Sequence, residues 1–408
     1  MTIQLQKSTI KIHSKIIITG SKSESNRLLL LQALYPELDI ENVSNSDDSV
    51  VMSKALASSE KVLDIHHAGT AMRFLTAYFA SKEDRQVILT GSARMKERPI
   101  EILVETLNQL GAEISYLETF GCPPLQIKGK RLSKHKVTLN ANVSSQYISA
   151  LLLIASRLEN GLELTLEGTI TSMPYINMTL DLLNQIGVQT TFKNQIITVK
   201  PKKDDLKTKT LTVESDWSSA SYFYSIVALS PIGTEIELSF YKKQSLQGDA
   251  VLAEIYQTFG VQTLYEDDFI RLKKLNEVNG KNIALQLNNS PDIAQTIAVT
   301  CLGLGMRCHL KGLHTLKIKE TDRLVALQNE LQKLGAKVTI TQDSLTLEDT
   351  PIINKNVVIQ TYNDHRMAMA FAPLALKTDI KIEDYRVVSK SYPTFWDDLE
   401  SIGFIFSK

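Results

Sequence analysis

Five times in this chain an amphipathic stretch stops at a glycine and turns directly into a β-like run. The stops are Leu110-Gly111-Ala112, Ile186-Gly187-Val188, Phe259-Gly260-Val261, Leu334-Gly335-Ala336 and Ile402-Gly403-Phe404. They recur at roughly 70 to 76 residues, a long but consistent period that makes the chain an array of related supersecondary units. Each glycine suits the position just past a helix end, where the backbone turns left-handed. The helices before them are one-sided, as the spacing of Leu324, Leu327, Leu331 and Leu334 illustrates.

A second series runs out of phase with the first. Helix starts rich in small or polar residues occur at Gly20 to Arg27, at His67-Ala68-Gly69-Thr70 and at Ser144-Ser145-Gln146. Three more follow at Asp216-Trp217-Ser218-Ser219, Ser290-Pro291-Asp292 and Asn363-Asp364-His365-Arg366. Each unit therefore holds two helices, joined by alternating segments such as residues 87–90, 162–166 and 380–383. The pattern predicts an α/β protein of about six units in two domains of three. The first domain is expected over residues 20–213, and the second over residues 1–19 with 214–408.

At 408 residues the chain is long enough for two or three cores. Its 45 Lys and Arg balance 45 Asp and Glu, which argues against a nucleic-acid or membrane-surface protein. Any cationic site must then be built locally. No apolar run approaches the roughly 20 residues of a membrane span, and residues 1–7 alternate like a strand instead of forming a leader, so a cytoplasmic protein is expected. Cys122, Cys301 and Cys308 form no metal or disulfide motif.

The polar helix starts suit anions, because the first N–H groups of a helix have no partner within it. Ser23 and Arg27 lie one turn apart and can hold one phosphate between them, while Lys22 reaches a second anionic group. Gly69 lets a ligand approach the backbone ahead of Thr70, read here as a helix cap. Arg98 closes a cationic loop; Ser144, Ser145 and Gln146 offer hydroxyls and an amide; Ser172 and Tyr175 flank a turn containing Pro174. Lys319, Glu320 and Arg323 place charges of both signs at one helix threshold, and Asp292 is the one carboxylate of its turn. Without Walker or Rossmann glycine patterns, these dispersed sites point to a small, highly anionic ligand.

In order and spacing, residues 20–27, 68–73, 94–99, 144–146, 319–323 and 363–369 resemble the 5-enolpyruvylshikimate-3-phosphate synthase family of enolpyruvyl transferases. The resemblance runs from about residue 15 to the C-terminus. It implies a two-domain inside-out α/β fold with six βαβαββ repeats, three per domain, and an active site in the interdomain cleft. It also implies transfer of the enolpyruvyl group of phosphoenolpyruvate to the 5-hydroxyl of shikimate 3-phosphate, in the pathway to chorismate and aromatic amino acids.

By the same resemblance, shikimate 3-phosphate is held by Lys22, Ser23, Arg27, Ser144, Ser145, Gln146, Ser172, Tyr175, Asp292 and Lys319. Phosphoenolpyruvate is held by Lys22, Gly69, Arg98, Gln146, Arg323, Arg366 and Lys390. Lys22, Asp292 and Glu320 carry the chemistry, with Asp216, Asp364 and His365 in support. No cofactor, metal, nucleic acid or membrane is implied, and a monomer is expected. His67, Phe74 and Thr315 stand where the family usually has Asn, Pro and Asn. The UDP-N-acetylglucosamine enolpyruvyl transferases share the fold, but no cysteine precedes Arg98-Pro99 here as it does in theirs. Units like those of RNA 3′-phosphate cyclases, or a catalytically silent anion-binding module, are the remaining readings.

Overall fold

The computed structural model describes residues 1–141, 144–168, 170, 172–202, 207–278, 280–350 and 352–407. The chain forms two compact units, Gly20–Val213 and Met1–Thr19 with Glu214–Lys408.

In the Gly20–Val213 unit, strands Val62–Asp64 and Gln86–Thr90 run parallel because the helix Gly69–Ala80 carries the chain between them. Gln86–Thr90 then pairs antiparallel with Leu125–Lys128, which pairs with Glu113–Tyr116. The same order recurs in Lys136–Asn140, Leu162–Glu167, Ile196–Val199 and Thr190–Lys193. A third sheet holds two parallel strands among the described residues, Leu38–Glu41 and Lys209–Thr212. Full repeats were expected throughout, and this one is cut short. Residues 58–61 are all that separate the Asp47–Ala57 helix from the next sheet, too few for a hairpin.

The other unit builds the four-strand order three times. His13–Ile16 pairs parallel with Glu235–Ser239, followed by Phe269–Lys274 and Val261–Tyr265. Asn282–Gln286, Arg307–Lys311, Ser344–Leu347 and Val338–Ile340 make the second sheet. In the third, Val357–Ile359 and Ile380–Glu383 are followed by the N-terminal strand Thr2–Gln6 and then by Ile405–Ser407. Ile3 and Leu5 of that first strand are fully buried, opposite Ile382 and Ile380.

The five helix-stop glycines all take the left-handed backbone, with φ of 107° at Gly111, 82° at Gly187, 77° at Gly260, 94° at Gly335 and 115° at Gly403. Gly20 answers to a different constraint. A Cβ there would lie 1.9 Å from the Asn42 carbonyl oxygen, so only glycine fits where the chain enters its unit.

The first helix of each repeat is buried on almost every side, and the strands beneath alternate buried and open positions. The Gly69–Ala80 helix buries every residue but Thr70, the Ser145–Ala155 helix every residue but Gln146, and the Trp217–Leu229 helix every residue but Ser218. Hydroxyl groups inside such a core must find one another. Ser221 meets Thr296 at 3.1 Å and Ser225 meets Thr300 at 2.8 Å, each pair 75 residues apart. The Tyr256 hydroxyl joins Thr300 at 3.0 Å. Thr300→Val keeps the shape and strands two buried hydroxyls, so it should cost about 1–3 kcal/mol in urea unfolding. Thr300→Ser should retain most of the stability; equal midpoints for wild type and Thr300→Val would contradict this account.

Candidate active site

Three helix starts of the Met1–Thr19 and Glu214–Lys408 unit bring their charged groups together. Pro291 opens the short helical turn Pro291–Ile293 and sets Asp292 beside it. Asp322 caps the Arg323–Lys333 helix, accepting from the Leu324 and Val325 N–H groups at 3.1 and 3.2 Å. Asp364 caps the His365–Phe371 helix through the Arg366 N–H at 2.8 Å.

Arg323 is the hub. Only 2% of its side chain is exposed, and its guanidinium donates to Asp364 Oδ2 at 2.5 Å, Asp292 Oδ1 at 2.8 Å and Glu320 Oε2 at 2.7 Å. Arg366 Nη2 lies 3.3 Å from Asp292 Oδ2 and donates to Ser218 Oγ at 3.2 Å; Lys319 Nζ is 3.5 Å from Asp292 Oδ1. Burial alone would push the Asp292 carboxyl up, but Arg366, Lys319 and Arg323 outweigh it and hold the group well below the usual carboxylate range. Asp292 therefore stays ionised beside Lys319 and the two arginines. Burial opposes the charge of Arg323, yet Asp364, Glu320 and Asp292 raise its pKa; Asp292 leads the groups that raise Arg366.

The turn that carries Arg366 is strained. Tyr362 and Asn363 both have positive φ, 53° and 56°, a conformation that costs of order 1–3 kcal/mol per residue. Glu330, fully buried on the Arg323–Lys333 helix, holds this turn by accepting from the Tyr362 hydroxyl at 2.6 Å and the Gln360 N–H at 3.1 Å. Lys390 donates to the Asn363 carbonyl at 2.6 Å, so it stands at the same turn.

In the Gly20–Val213 unit the predicted residues form two groups. The Arg98 guanidinium lies against Gly69, where a Cβ would meet Nη1 at 2.6 Å. Gln146 Nε2 donates to Thr70 Oγ1 at 3.3 Å, and Ser144 caps its helix by accepting from the Gln146 N–H. Arg27 forms the second group. It is buried and donates to Thr179 Oγ1 at 2.8 Å, Ser149 Oγ at 2.9 Å and the Ser23 and Tyr175 carbonyls at 2.7 and 3.2 Å. Its guanidinium lies over the Phe74 ring, 5.4 Å from the centroid, and burial lowers its pKa to about 10. Ser172 starts the Met173–Gln185 helix in the left-handed region, with φ 54°, and its carbonyl accepts from the Tyr175 N–H at 3.1 Å. Ser145 is buried at its helix start. Lys22 and Ser23 are half-buried, and among the described residues Lys22 makes no direct hydrogen bond to either group.

One local expectation is corrected. Thr70 is not a cap: the helix begins at Gly69 with Ala68 in the cap position, and Thr70 is free to bond Gln146 instead. Ser21 occupies the cap of the Lys22–Leu34 helix without a side-chain bond to it. Arg73 was missed. It is buried beside Arg98, donates to the Gly69 and Pro99 carbonyls at 3.0 and 3.2 Å, and has its pKa lowered to about 10 by burial and then by Arg98. Its place four residues after Gly69 was the available signal.

The model of the family described as EPSP synthase (3-phosphoshikimate 1-carboxyvinyltransferase) matches residues 37–399. A 3-phosphoshikimate 1-carboxyvinyltransferase of Bacteroides fragilis is 47% identical, covering 97% of this chain and 96% of its own. The chain belongs to the EPSP synthase family. The 3-phosphoshikimate 1-carboxyvinyltransferase of Haemophilus influenzae is 37% identical, with 96% of each chain covered. The EPSP synthase structure from Acinetobacter baumannii superposes with a TM-score of 0.80 at 20% identity, covering all of both chains. The enolpyruvyl transferase NikO of Streptomyces tendae gives 0.74 at 13% identity, covering 100% of this chain and 98% of its own. The inside-out α/β fold of EPSP synthases and enolpyruvyl transferases is therefore the fold of this chain.

The Asp292 cluster of this EPSP synthase family member carries a pH signature. A carboxyl whose folded pKa is depressed stabilises the protein above its unfolded pKa of about 3.9 and loses that contribution as pH falls toward the folded value. Wild type should exceed Asp292→Asn in urea stability most at pH 6 to 7, with the gap closing below about pH 4. A gap that widens on acidification would reverse the assigned sign.

Proposed function

We propose that this chain is a transferase that moves the enolpyruvyl group of phosphoenolpyruvate onto the 5-hydroxyl of shikimate 3-phosphate, releasing phosphate. The product, 5-enolpyruvylshikimate 3-phosphate, leads toward chorismate and the aromatic amino acids. The 47% identity to the Bacteroides fragilis enzyme along almost the whole chain carries this reading. We further propose a cytoplasmic monomer; among the described residues no helix is long and apolar enough to cross a membrane.

Two phosphorylated or carboxylated substrates repel each other. Each like-charge pair about 4 Å apart costs about 4 kcal/mol at an effective dielectric near 20. In this reading Lys22, Ser23, Arg27, Ser144, Ser145, Gln146, Ser172, Tyr175, Asp292 and Lys319 hold shikimate 3-phosphate. Lys22, Gly69, Arg98, Gln146, Arg323, Arg366 and Lys390 hold phosphoenolpyruvate. The cations offset the repulsion, and the closeness of Arg98 to Gly69 and of Gln146 to Thr70 supports the grouping.

The reaction is addition followed by elimination. Asp292 accepts the proton of the 5-hydroxyl as its oxygen attacks C2 of phosphoenolpyruvate, and Glu320 or Lys22 delivers a proton to the methylene carbon. The same groups then reverse roles: Glu320 or Lys22 takes a proton back from the methyl carbon, Asp292 gives its proton to the departing phosphate, and the double bond is restored. A carboxylate held as low as Asp292 is a weak base. When the phosphoenolpyruvate carboxylate draws on Arg323 and Arg366, the attraction holding Asp292 down is shared and its basicity rises.

Purified protein should release inorganic phosphate only with both substrates present. Glu320→Gln should lower kcat by about 100-fold or more while both substrates still bind. Near-normal turnover in Glu320→Gln removes it from the acid role, and binding without phosphate release by the wild type would favour the silent module.

A further inference from the structure

Arg366 is held from two sides, and the transfer reaction as described accounts for only one. On that side is Asp292, whose carboxylate also serves Arg323 at 2.8 Å and Lys319 at 3.5 Å. On the other, Arg366 Nη2 donates to Ser218 Oγ at 3.2 Å, and Ser218 Oγ donates a short hydrogen bond to Asp249 Oδ2. The hydroxyl thus accepts from the cation and donates to the carboxyl, a head-to-tail chain in which each bond polarises the next.

Ser218 is not needed to end its helix. Asp216 already caps the Trp217–Leu229 helix by accepting from the Ser219 N–H at 2.8 Å. Asp249 is fixed by its own segment: Gln247, two residues earlier, accepts from the Trp217 N–H at 3.0 Å and donates to the Ser215 carbonyl at 2.9 Å. Asp249 is 3% exposed, and its second oxygen, Oδ1, is buried with no hydrogen-bond partner. A carboxyl placed there for stability alone would be poorly placed, since an unsatisfied buried acceptor costs of order 1–3 kcal/mol.

We propose that Asp249 is a positioning residue for Arg366, acting through the Ser218 hydroxyl to aim the guanidinium at the carboxylate of phosphoenolpyruvate. The inference rests on the reading of Arg366 as a phosphoenolpyruvate ligand. Burial foremost, and then Asp292, push the Asp249 carboxyl up to about 7, so its charge is disfavoured where it sits. Such perturbed groups concentrate at functional sites.

Steady-state kinetics on five variants tests this. Ser218→Ala and Asp249→Ala should each raise the KM for phosphoenolpyruvate about tenfold while leaving the KM for shikimate 3-phosphate unchanged. The double variant should be no worse than either single one, because both break the same chain. Ser218→Thr, which keeps the hydroxyl, should restore most of the affinity. Unchanged KM in Ser218→Ala, equal losses for both substrates, or additive losses in the double variant would each overturn the proposal. Ser218→Ala decides the matter even if Asp249→Ala fails to fold. Arg366→Lys separates the two levels: if it leaves the phosphoenolpyruvate KM unchanged, the assignment of Arg366 fails; if it raises that KM while Ser218→Ala does not, only the role of Asp249 fails.

Discussion

A helix enclosed on every side by apolar neighbours has only its ends left for polar chemistry. That constraint shapes both units of this chain. Thr70, Gln146 and Ser218, the residues of their helices that escape burial, all stand second in the helix. Turning the helices inward and the sheets outward therefore leads to a set of clustered N-termini. Each brings unpaired N–H groups and a positive dipole end with it. Where the core lies thus decides where polar groups can stand.

The two units balance charge differently. Arg27 and Arg73 are buried against neutral oxygens, and both have their pKa lowered to about 10, burial being the chief cause. Arg323 and Arg366 are buried against carboxylates and are raised. In one unit the buried cations are met by uncharged acceptors, while in the other they are held by carboxylates around Asp292. Breaking such a buried cluster at one partner is costly because the remaining charges stay uncompensated.

The period of the repeat was legible because a glycine past a helix end leaves a local mark in the sequence, and all five stops adopt the left-handed backbone. The family was legible from motifs that sit at helix starts and remain contiguous in the chain. The shortened repeat was not, because its missing hairpin shows only as a brief spacing at residues 58–61. Arg73, Asp249 and Glu330 escaped notice for a shared reason. Their partners are carbonyls, a hydroxyl and a tyrosine brought near by tertiary packing, and no periodicity records them. Backbone strain at Tyr362 and Asn363 is likewise imposed from outside the turn, by Glu330 and by Lys390.

The strand Thr2–Gln6 lies between Ile380–Glu383 and Ile405–Ser407, so its sheet joins residues about 380 to 400 positions apart in the chain. Gly20–Val213, by contrast, is one uninterrupted segment. On a ribosome adding about 5–20 residues per second, that segment is free to fold while the rest is still being translated. Residues 2–6 must wait through all of it with Ile3 and Leu5 uncovered. Of the strands in this sheet, residues 2–6 are thus the ones exposed longest to mispairing and to chaperones.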